Sequence, residues 1–543
     1  MIIPRPWASA AGFGVMCLGM FMAILDVQVV ATSIPTISRA LHTPGDQISW
    51  IQTAYLIAEV IAIPLTGRLT RLLSMRGLFV GAVALFALSS AGCAASGAFA
   101  TLIAWRVAQG LAAGTLIPAV FAAVFQLFPA KGQALATTVA GVLAVLAPTV
   151  GPVVGGWITE TYSWRWLFLI NLAPGVLAAV AAAKLLPRDP PRWRDLRTFD
   201  VASLGLMASA LTALELALKT APQRGWLSPQ VLGLAGATLT AGGGFVVRTL
   251  RARHPLADLR AFRRREFSVA CLLSFVLGVG LFGSVYLMPV FLGAVRGYGA
   301  LATGKVMLVT GLAQLATAPL AVALERRVGP RALSAFGFAL FALGLAMSAG
   351  ETIRTGFAQM VWPQILRGVA IMFCLLPPTR MALGRFKADA LADASGLFNL
   401  MRNLGGAIGL ALIDTLLYGR SPHHAAAIAA ALRAGDTSTA AAVGIPLALF
   451  AGRGAGPVDP STQAILQPMI ARLAFARAAN EAWAVVALLT AAGLLALRFA
   501  PPTSMPLPTP TGKSCAAVGA AGVPRRSSRR PAWRIRRPPM RGG

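Results

Sequence analysis

The sequence predicts an all-α protein that crosses a membrane about fourteen times. Composition, the length of the apolar runs and the placing of the charges predict it. Of 543 residues, 57% are hydrophobic and only 12% charged, against about 25% charged in soluble proteins; mean hydropathy is +0.71. Most of the mass therefore belongs in lipid. Apolar runs of roughly spanning length fall near 11–35, 48–68, 76–97, 102–127, 134–158, 166–186, 199–219, 230–250, 267–291, 303–323, 331–349, 357–383, 396–418 and 482–499. The 48 Lys+Arg against 18 Asp+Glu leave a formal charge of +30. That excess gathers in short loops and in the tail. It reads as topogenic, lipid-facing charge rather than a nucleic-acid surface.

Taken in order, the first run is too long for a signal peptide and reads as an uncleaved first span. With the N-terminus inside, Arg68, Arg71 and Arg76 share one loop, and Lys184, Arg188, Arg192, Arg194 and Arg197 the next large one. Arg248, Arg251, Arg253, Arg260 and Arg263 to Arg265 fall in a third, with Arg326, Arg327, Arg385 and Lys387 on the same side. Opposite loops such as 96–100 and 160–165 are nearly bare, so both termini are expected in the cytoplasm. Gln109-Gly110 in the fourth span and Arg367-Gly368 in the twelfth each lead to a proline, Pro118 and Pro377. This weak repeat suits two six-helix halves, 1–198 and 251–500, with two extra spans, 199–250, inserted between them.

Two regions lie outside the bundle. The connection 419–480 is long, Ala-rich and expected outside; its apolar run Ala441–Ala451 is too short to span. Residues 501–543 are rich in Pro and Arg with no acidic residue, which predicts a disordered cytoplasmic tail, solvated or resting on anionic lipid. Cys17, Cys93, Cys271 and Cys374 sit in apolar spans and Cys515 in the tail without C-x-x-C spacing, so neither disulfide nor metal is indicated. No G-x-x-x-x-G-K-[ST] loop suggests a nucleotide cofactor.

Chemistry is expected where charge lies inside a span, because such a group is costly unless paired or wet. Asp26 is central in the first span and Glu59 in the second, with Arg106 of the fourth as counter-charge. Burial favours a neutral carboxyl and a cation the ionised one, and opposing terms of this kind let a carboxyl exchange protons. A static pair that only fixes helix register is the alternative. Arg402, between Asn399 and Asn403, is expected to anchor polar backbone in the thirteenth span, with Gln109 and Tyr55 as further cavity candidates. Glu215 and Asp414 fall near the outer ends of their spans, within reach of water. Trp50, Trp105, Trp157, Trp164 and Trp166 read as interfacial belt residues.

The stretch Ala147 to Trp157, A-P-T-V-G-P-V-V-G-G-W, interrupts the fifth span. Pro148 and Pro152 each remove a backbone donor, and Gly151 and Gly155 lie one turn apart, a spacing that admits a close helix neighbour. It reads either as a kinked packing helix or as the G-x-x-x-G-P-x-x-G-G motif of major facilitator antiporters, which it resembles at Gly151, Pro152, Gly155 and Gly156, with Ala147 at the first glycine position. Further matches follow. The first-span pattern L-D-x-T-x-x-N-V-A-x-P is met at Leu25, Asp26 and Pro35 but not at Gln28 and Ala31. The R-x-x-Q-G of the fourth span is intact as Arg106, Gln109 and Gly110. The run Ser163-Trp164-Arg165-Trp166 through Asn171, Pro174 and Gly175 also matches, as do Trp362-Pro363-Gln364 and Asn399 through Arg402 to Gly405-Gly406.

On these residues, positions 9–500 resemble the fourteen-span drug:proton antiporters of the major facilitator superfamily, the EmrB/QacA group, and EmrB-like permeases most closely. The loop after the second span departs from the superfamily's G-x-x-x-D-x-x-G-R: Gly67 is kept, but Arg71 holds the acidic position and Ser74 the second glycine. The resemblance implies alternating access around a midplane cavity and proton-coupled export of hydrophobic or amphipathic compounds across a bacterial inner membrane. Asp26 would be the proton carrier, with Glu59 and Arg106 beside it. It also implies a periplasmic adaptor and an outer-membrane channel as partners, and no enzymatic reaction. A proton-linked carrier of one metabolite, fatty acid or lipid is the alternative.

Overall fold

In the computed structural model the residues described are 6–41, 50–188, 190, 199–252, 255–325, 327–446, 450 and 460–500. Every regular element among them is helical: α1 Pro6–Ala40, α2 Trp50–Ala62, α3 Thr66–Ala95, α4 Phe99–Leu127, α5 Ala130–Thr161, α6 Trp166–Leu169, α7 Leu172–Leu185, α8 Val201–Arg224, α9 Pro229–Arg251, α10 Arg265–Arg296, α11 Ala300–Glu325, α12 Pro330–Met347, α13 Phe357–Leu383, α14 Ala388–Arg433, α15 Thr437–Val443 and α16 Pro460–Ala496. The tail 501–543, Arg192, Arg194, Arg197, Arg253, Arg326 and, of the run 441–451, residues 447–449 and 451 lie outside the described residues.

Among the described residues, thirteen helical stretches are long and apolar enough to cross a membrane. The longest, Trp50–Ala95 at 46 residues, is two crossings, because Ser74 breaks it with φ 66° and ψ 163°. Tyr55 and Ser90, on its two arms, reach the same cluster around Arg106 and Gln109, so the chain doubles back between them. Fourteen crossings result. A non-glycine residue is uncommon at positive φ; here Ser74 Oγ accepts a hydrogen bond from the Gly77 amide at 3.2 Å and steadies the turn. The sixth span is also broken, into α6 and α7. Pro174, in the first turn of α7, cannot continue a helix from α6 because its ring excludes the carbonyl four residues back.

Helix neighbours repeat. Within α1–α7, α2 and α3 pack on α4, α1 on α5, and α7 on α1 and α3. Within α10–α16, α11 and α12 pack on α13, α10 on α14, and α16 on α10 and α12. The closest contacts repeat as well. A Cβ on Gly110 of α4 would lie 3.0 Å from Ala58 Cβ of α2, and one on Gly368 of α13 would lie 2.8 Å from Ala313 Cβ of α11. Each glycine lets its helix seat against the partner backbone. Two cores result, one around Met20, Phe79 and Phe121, the other around Phe291, Phe341 and Trp483.

The two sets meet along α5, α11 and α13 and at the start of α14. Val153 of α5 occupies the space a side chain on Gly304 of α11 would need. At the start of α14, Ser395 donates to the Pro118 carbonyl at 2.8 Å, and Arg71 forms an ion pair with Asp393. This end of the molecule is closed.

The inserted pair α8 and α9 pack on each other, and α8 alone also touches α2 and α14. Asp200 caps α8 by accepting from the Ser203 amide at 3.1 Å and pairs with Arg248 of α9 at 2.8 Å. The Arg248 guanidinium holds the Asp200 carboxyl well below the usual carboxylate range. At its far end this hairpin is tied on both sides: Lys219 donates to Thr53 of α2 at 2.5 Å, and Trp226 to Thr415 of α14 at 3.0 Å. The connection 419–480 is largely helical rather than loop. α14 runs on to Arg433, and α16 begins at Pro460. Alanine is the best helix former, and Glu481 holds the two extensions together through Arg420 at 2.7 Å and His424 at 2.9 Å. Ile428, Val443 and Leu473 fill the small core between them.

Candidate transport site

Asp26 is the centre of the polar cluster inside the first helix set, with its side chain 0% exposed. Arg106 Nη1 donates to its Oδ2 at 2.6 Å; Asn171 Nδ2 and Gln109 Nε2 donate to its Oδ1 at 2.8 and 3.1 Å. Arg106 also donates to Gln109 Oε1 at 2.7 Å and to the Ile51 carbonyl at 3.0 Å, and its guanidinium stacks 4.2 Å from the centre of the Tyr55 ring. Gln109 reaches Ser90 Oγ at 2.8 Å, and Tyr55 OH donates to the Ala23 carbonyl at 3.1 Å. The cluster thus clamps α1, α2, α3, α4 and the α6–α7 break at one level. Arg106 Nη2 has no hydrogen-bond partner among the described residues. Asn171 and Ser90 are members the sequence reading assigned no role. Asn171 follows the helix break that Pro174 enforces, which was the available signal.

Beside this cluster lies a cavity of about 140 Å³ between the two helix sets. Its wall is mostly apolar, from Ile24 and Val27 of α1, Leu56 and Val60 of α2, Leu281 and Phe282 of α10 and Leu375 of α13. The polar members are Gln28, Glu59, Glu215, Arg402 and Asn403. Of the predicted cavity residues, Glu59 and Arg402 line it, whereas Asp26, Tyr55 and Gln109 stand behind the wall in the buried cluster. Arg402 donates to Asn399 Oδ1 and lies 5.4 Å from the centre of the Phe121 ring, which reaches across from α4. Among the described residues the Glu59 carboxylate accepts no hydrogen bond and forms no ion pair. Glu215, expected near water at the end of its span, faces this cavity instead. Asp414 accepts from Tyr286 OH at 2.7 Å.

The interrupted stretch of α5 forms a third part. Pro148 lines the cavity, Gly151, Pro152 and Gly155 are buried, and Gly156 is half-buried. A side chain on Gly151 would run into Gln28 of α1, so this glycine sets the closest approach of α1 and α5. One turn on, the Gly155 carbonyl accepts from Thr159 Oγ1 at 2.7 Å, and Thr159 meets Ser33 of α1 at 2.5 Å. Two residues beyond Gly151, Val153 faces α11 of the other set. The stretch therefore lies where one half of the molecule bears on the other. Trp157 and Trp166 are exposed as belt residues are, but Trp164 is buried against Phe168, and Arg165 stacks 4.8 Å from its ring. No cluster of His, Cys, Asp or Glu among the described residues could hold a metal ion.

Two like sets of helices around a shared cavity, with a carboxyl open to it that has no partner among the described residues, are the architecture of a secondary carrier of solutes across a membrane. The comparisons with known proteins agree. The chain belongs to the Major Facilitator Superfamily, whose family model matches residues 16–410. It is 36% identical to the Colistin resistance protein EmrB of Acinetobacter baumannii, over 75% of this chain and 79% of that one. It is 30% identical to the Multidrug export protein EmrB of Escherichia coli, over 75% and 80%. Among solved structures, the human organic anion transporter MFSD10 shares the fold at TM-score 0.55 and 16% identity, with 90% of this chain and 99% of that one covered.

Proposed function

We propose that this protein exports hydrophobic or amphipathic compounds, drugs among them, across a bacterial inner membrane in exchange for protons. The carrying observation is Glu59, a carboxyl without a partner among the described residues, on a mostly apolar cavity between the two helix sets. The names of the two EmrB relatives, resistance and export, support the outward direction. The protein acts as a carrier and makes or breaks no bond in its cargo.

Asp26, Glu59 and Arg106 form the coupling set in this reading. Glu59 meets protons through the cavity. Asp26 is engaged by three donors and can take a proton only when the clamp on Arg106 loosens, in the opposite conformation. A proton on the cavity side weakens retention of cargo; its loss on the other side readies the site again. One charge falling through the membrane potential supplies about 2.3 kcal/mol per 100 mV, roughly a fiftyfold gradient. That is enough to drive export without ATP.

The excess of Lys and Arg on one side argues for cytoplasmic termini. The closed end at Arg71 and Asp393 is then cytoplasmic. The halves 1–198 and 251–500 rock as units, with 199–250 attached to both, and a periplasmic adaptor with an outer-membrane channel completes the path.

Everted vesicles loaded with a panel of fluorescent drugs and weak acids test the reading. An imposed pH gradient should drive accumulation by the wild type, and Glu59→Gln should lose that accumulation while still binding cargo. A wild type indifferent to the gradient overturns proton coupling, and full gradient-driven uptake by Glu59→Gln overturns the role of Glu59.

A further inference from the structure

Most of the cavity wall comes from the two repeated helix sets. One residue does not. Glu215 belongs to α8, the first inserted helix, and reaches the cavity because α8 packs against both α2 and α14 where the sets adjoin. Only three charged residues line the cavity among those described: Glu59, Glu215 and Arg402. Neither carboxylate has a hydrogen-bond or ion-pair partner among the described residues, whereas Arg402 is engaged by Asn399 and the Phe121 ring. Lys219, one turn from Glu215, does not line the cavity; its ammonium donates to Thr53 and lies 5.3 Å from the centre of the Trp50 ring, and from there its charge still acts on Glu215. Among the lining residues two open carboxylates thus face one guanidinium, an excess of negative charge in a mostly apolar chamber. In so dry a setting a charge acts far more strongly than at a surface.

We propose that Glu215 is a selectivity residue: with Glu59 it forms a two-carboxylate subsite for the positive centre of a lipophilic cation, and the inserted helices thereby choose the cargo. The inference rests on the export reading above and narrows it to one charge class. A monovalent organic cation replaces the proton that would otherwise neutralise the pair, and the apolar wall holds its hydrocarbon part. A fatty anion would instead meet two carboxylates beside an arginine that already has partners.

The test compares tetraphenylphosphonium, Nile red as a neutral lipophile and laurate as an anion, with gradient-driven uptake into everted vesicles and equilibrium dialysis against the purified protein. Wild type should prefer tetraphenylphosphonium. Glu215→Gln should raise its KM and Kd by roughly tenfold relative to those of Nile red, and Glu215→Asp should restore much of the preference. Equal loss for the cation and the neutral probe, or a wild type that prefers laurate, overturns the assignment. Dialysis keeps the two readings apart. If no probe is transported yet tetraphenylphosphonium binds through Glu215, the export reading fails and the subsite stands; if Nile red is exported while the charge of residue 215 leaves cation selectivity unmoved, the reverse holds.

Discussion

Removing the charge of Asp26 should cost the fold more than it costs cargo binding, and removing Arg106 with it should give most of that stability back. In the wild type Asp26 and Arg106 are both 0% exposed and 2.6 Å apart. Asp26→Asn leaves a buried guanidinium whose counter-ion has gone and whose Nη2 already lacks a partner among the described residues. Breaking a buried ion pair from one side costs about 3–5 kcal/mol. The lower end applies, because the Ile51 carbonyl, Gln109 Oε1 and the Tyr55 ring still face the cation. The double variant Asp26→Asn with Arg106→Gln leaves no charge in this cluster and loses only neutral hydrogen bonds, about 1 kcal/mol each. The double variant should therefore be about 2 kcal/mol more stable than Asp26→Asn alone, and with Arg106→Gln costing about 3 kcal/mol on the same grounds the cycle should show a coupling of about 5 kcal/mol. Denaturant unfolding of the four proteins in detergent measures it, with gradient-driven transport measured in parallel. An Asp26→Asn protein as stable as the wild type would refute the reasoning, because the clamp would then not depend on the charge. Proton-coupled efflux surviving in the double variant would leave Glu59 as the carrier and Asp26 as the holder of Arg106.

Other predictions concern the ends and the contacts of the two sets. Arg71→Asp should impair transport at least roughly tenfold by setting two carboxylates face to face, and the exchange Arg71→Asp with Asp393→Arg should recover it; uptake assays on the three variants decide, and an unaffected single variant sinks the idea. Gly151→Leu and Gly155→Leu should insert normally but export nothing, since Gly151 has no room for a side chain against Gln28; normal efflux at normal expression would return the stretch to a kinked packing helix. A cysteine placed at Ala434, between α14 and α15, should react with an impermeant maleimide on intact spheroplasts, and labelling only after permeabilisation would overturn the proposed topology.

The spans were legible because a bilayer imposes a length on apolar runs that little else in a sequence imitates, and Asp26, Glu59 and Arg106 because a charge inside such a run is conspicuous. What a side chain faces was not legible. Glu215 read as a residue near water because distance from a span's end says nothing of what lies beside it, and the cavity between α2, α8 and α14 exists only once the helices are assembled. Asp26 and Glu59 read alike in sequence, yet one is held by three donors and the other by none. Arg71 in the place of an acidic residue read as a departure from the family pattern. Its partner Asp393 lies far along the chain, so the reversed sign could not be seen to have a complement. The helical extensions of α14 and α16 went unseen for a simpler reason: alanine-rich polar sequence lacks the apolar length that marks a span, whether or not it is helical.

The hairpin of α8 and α9 has a mechanical consequence. It is fastened to one set through Lys219 and Thr53 and to the other through Trp226 and Thr415, while α9 touches mainly α8 and presents most of its surface to the bilayer. When the two sets rock, the hairpin cannot follow both. It must slide against one of them, dragging with it a helix embedded in lipid. A strut of this kind makes the surrounding membrane part of the transport cycle, and turnover should change with acyl-chain length even when the cargo and the proton gradient are held fixed.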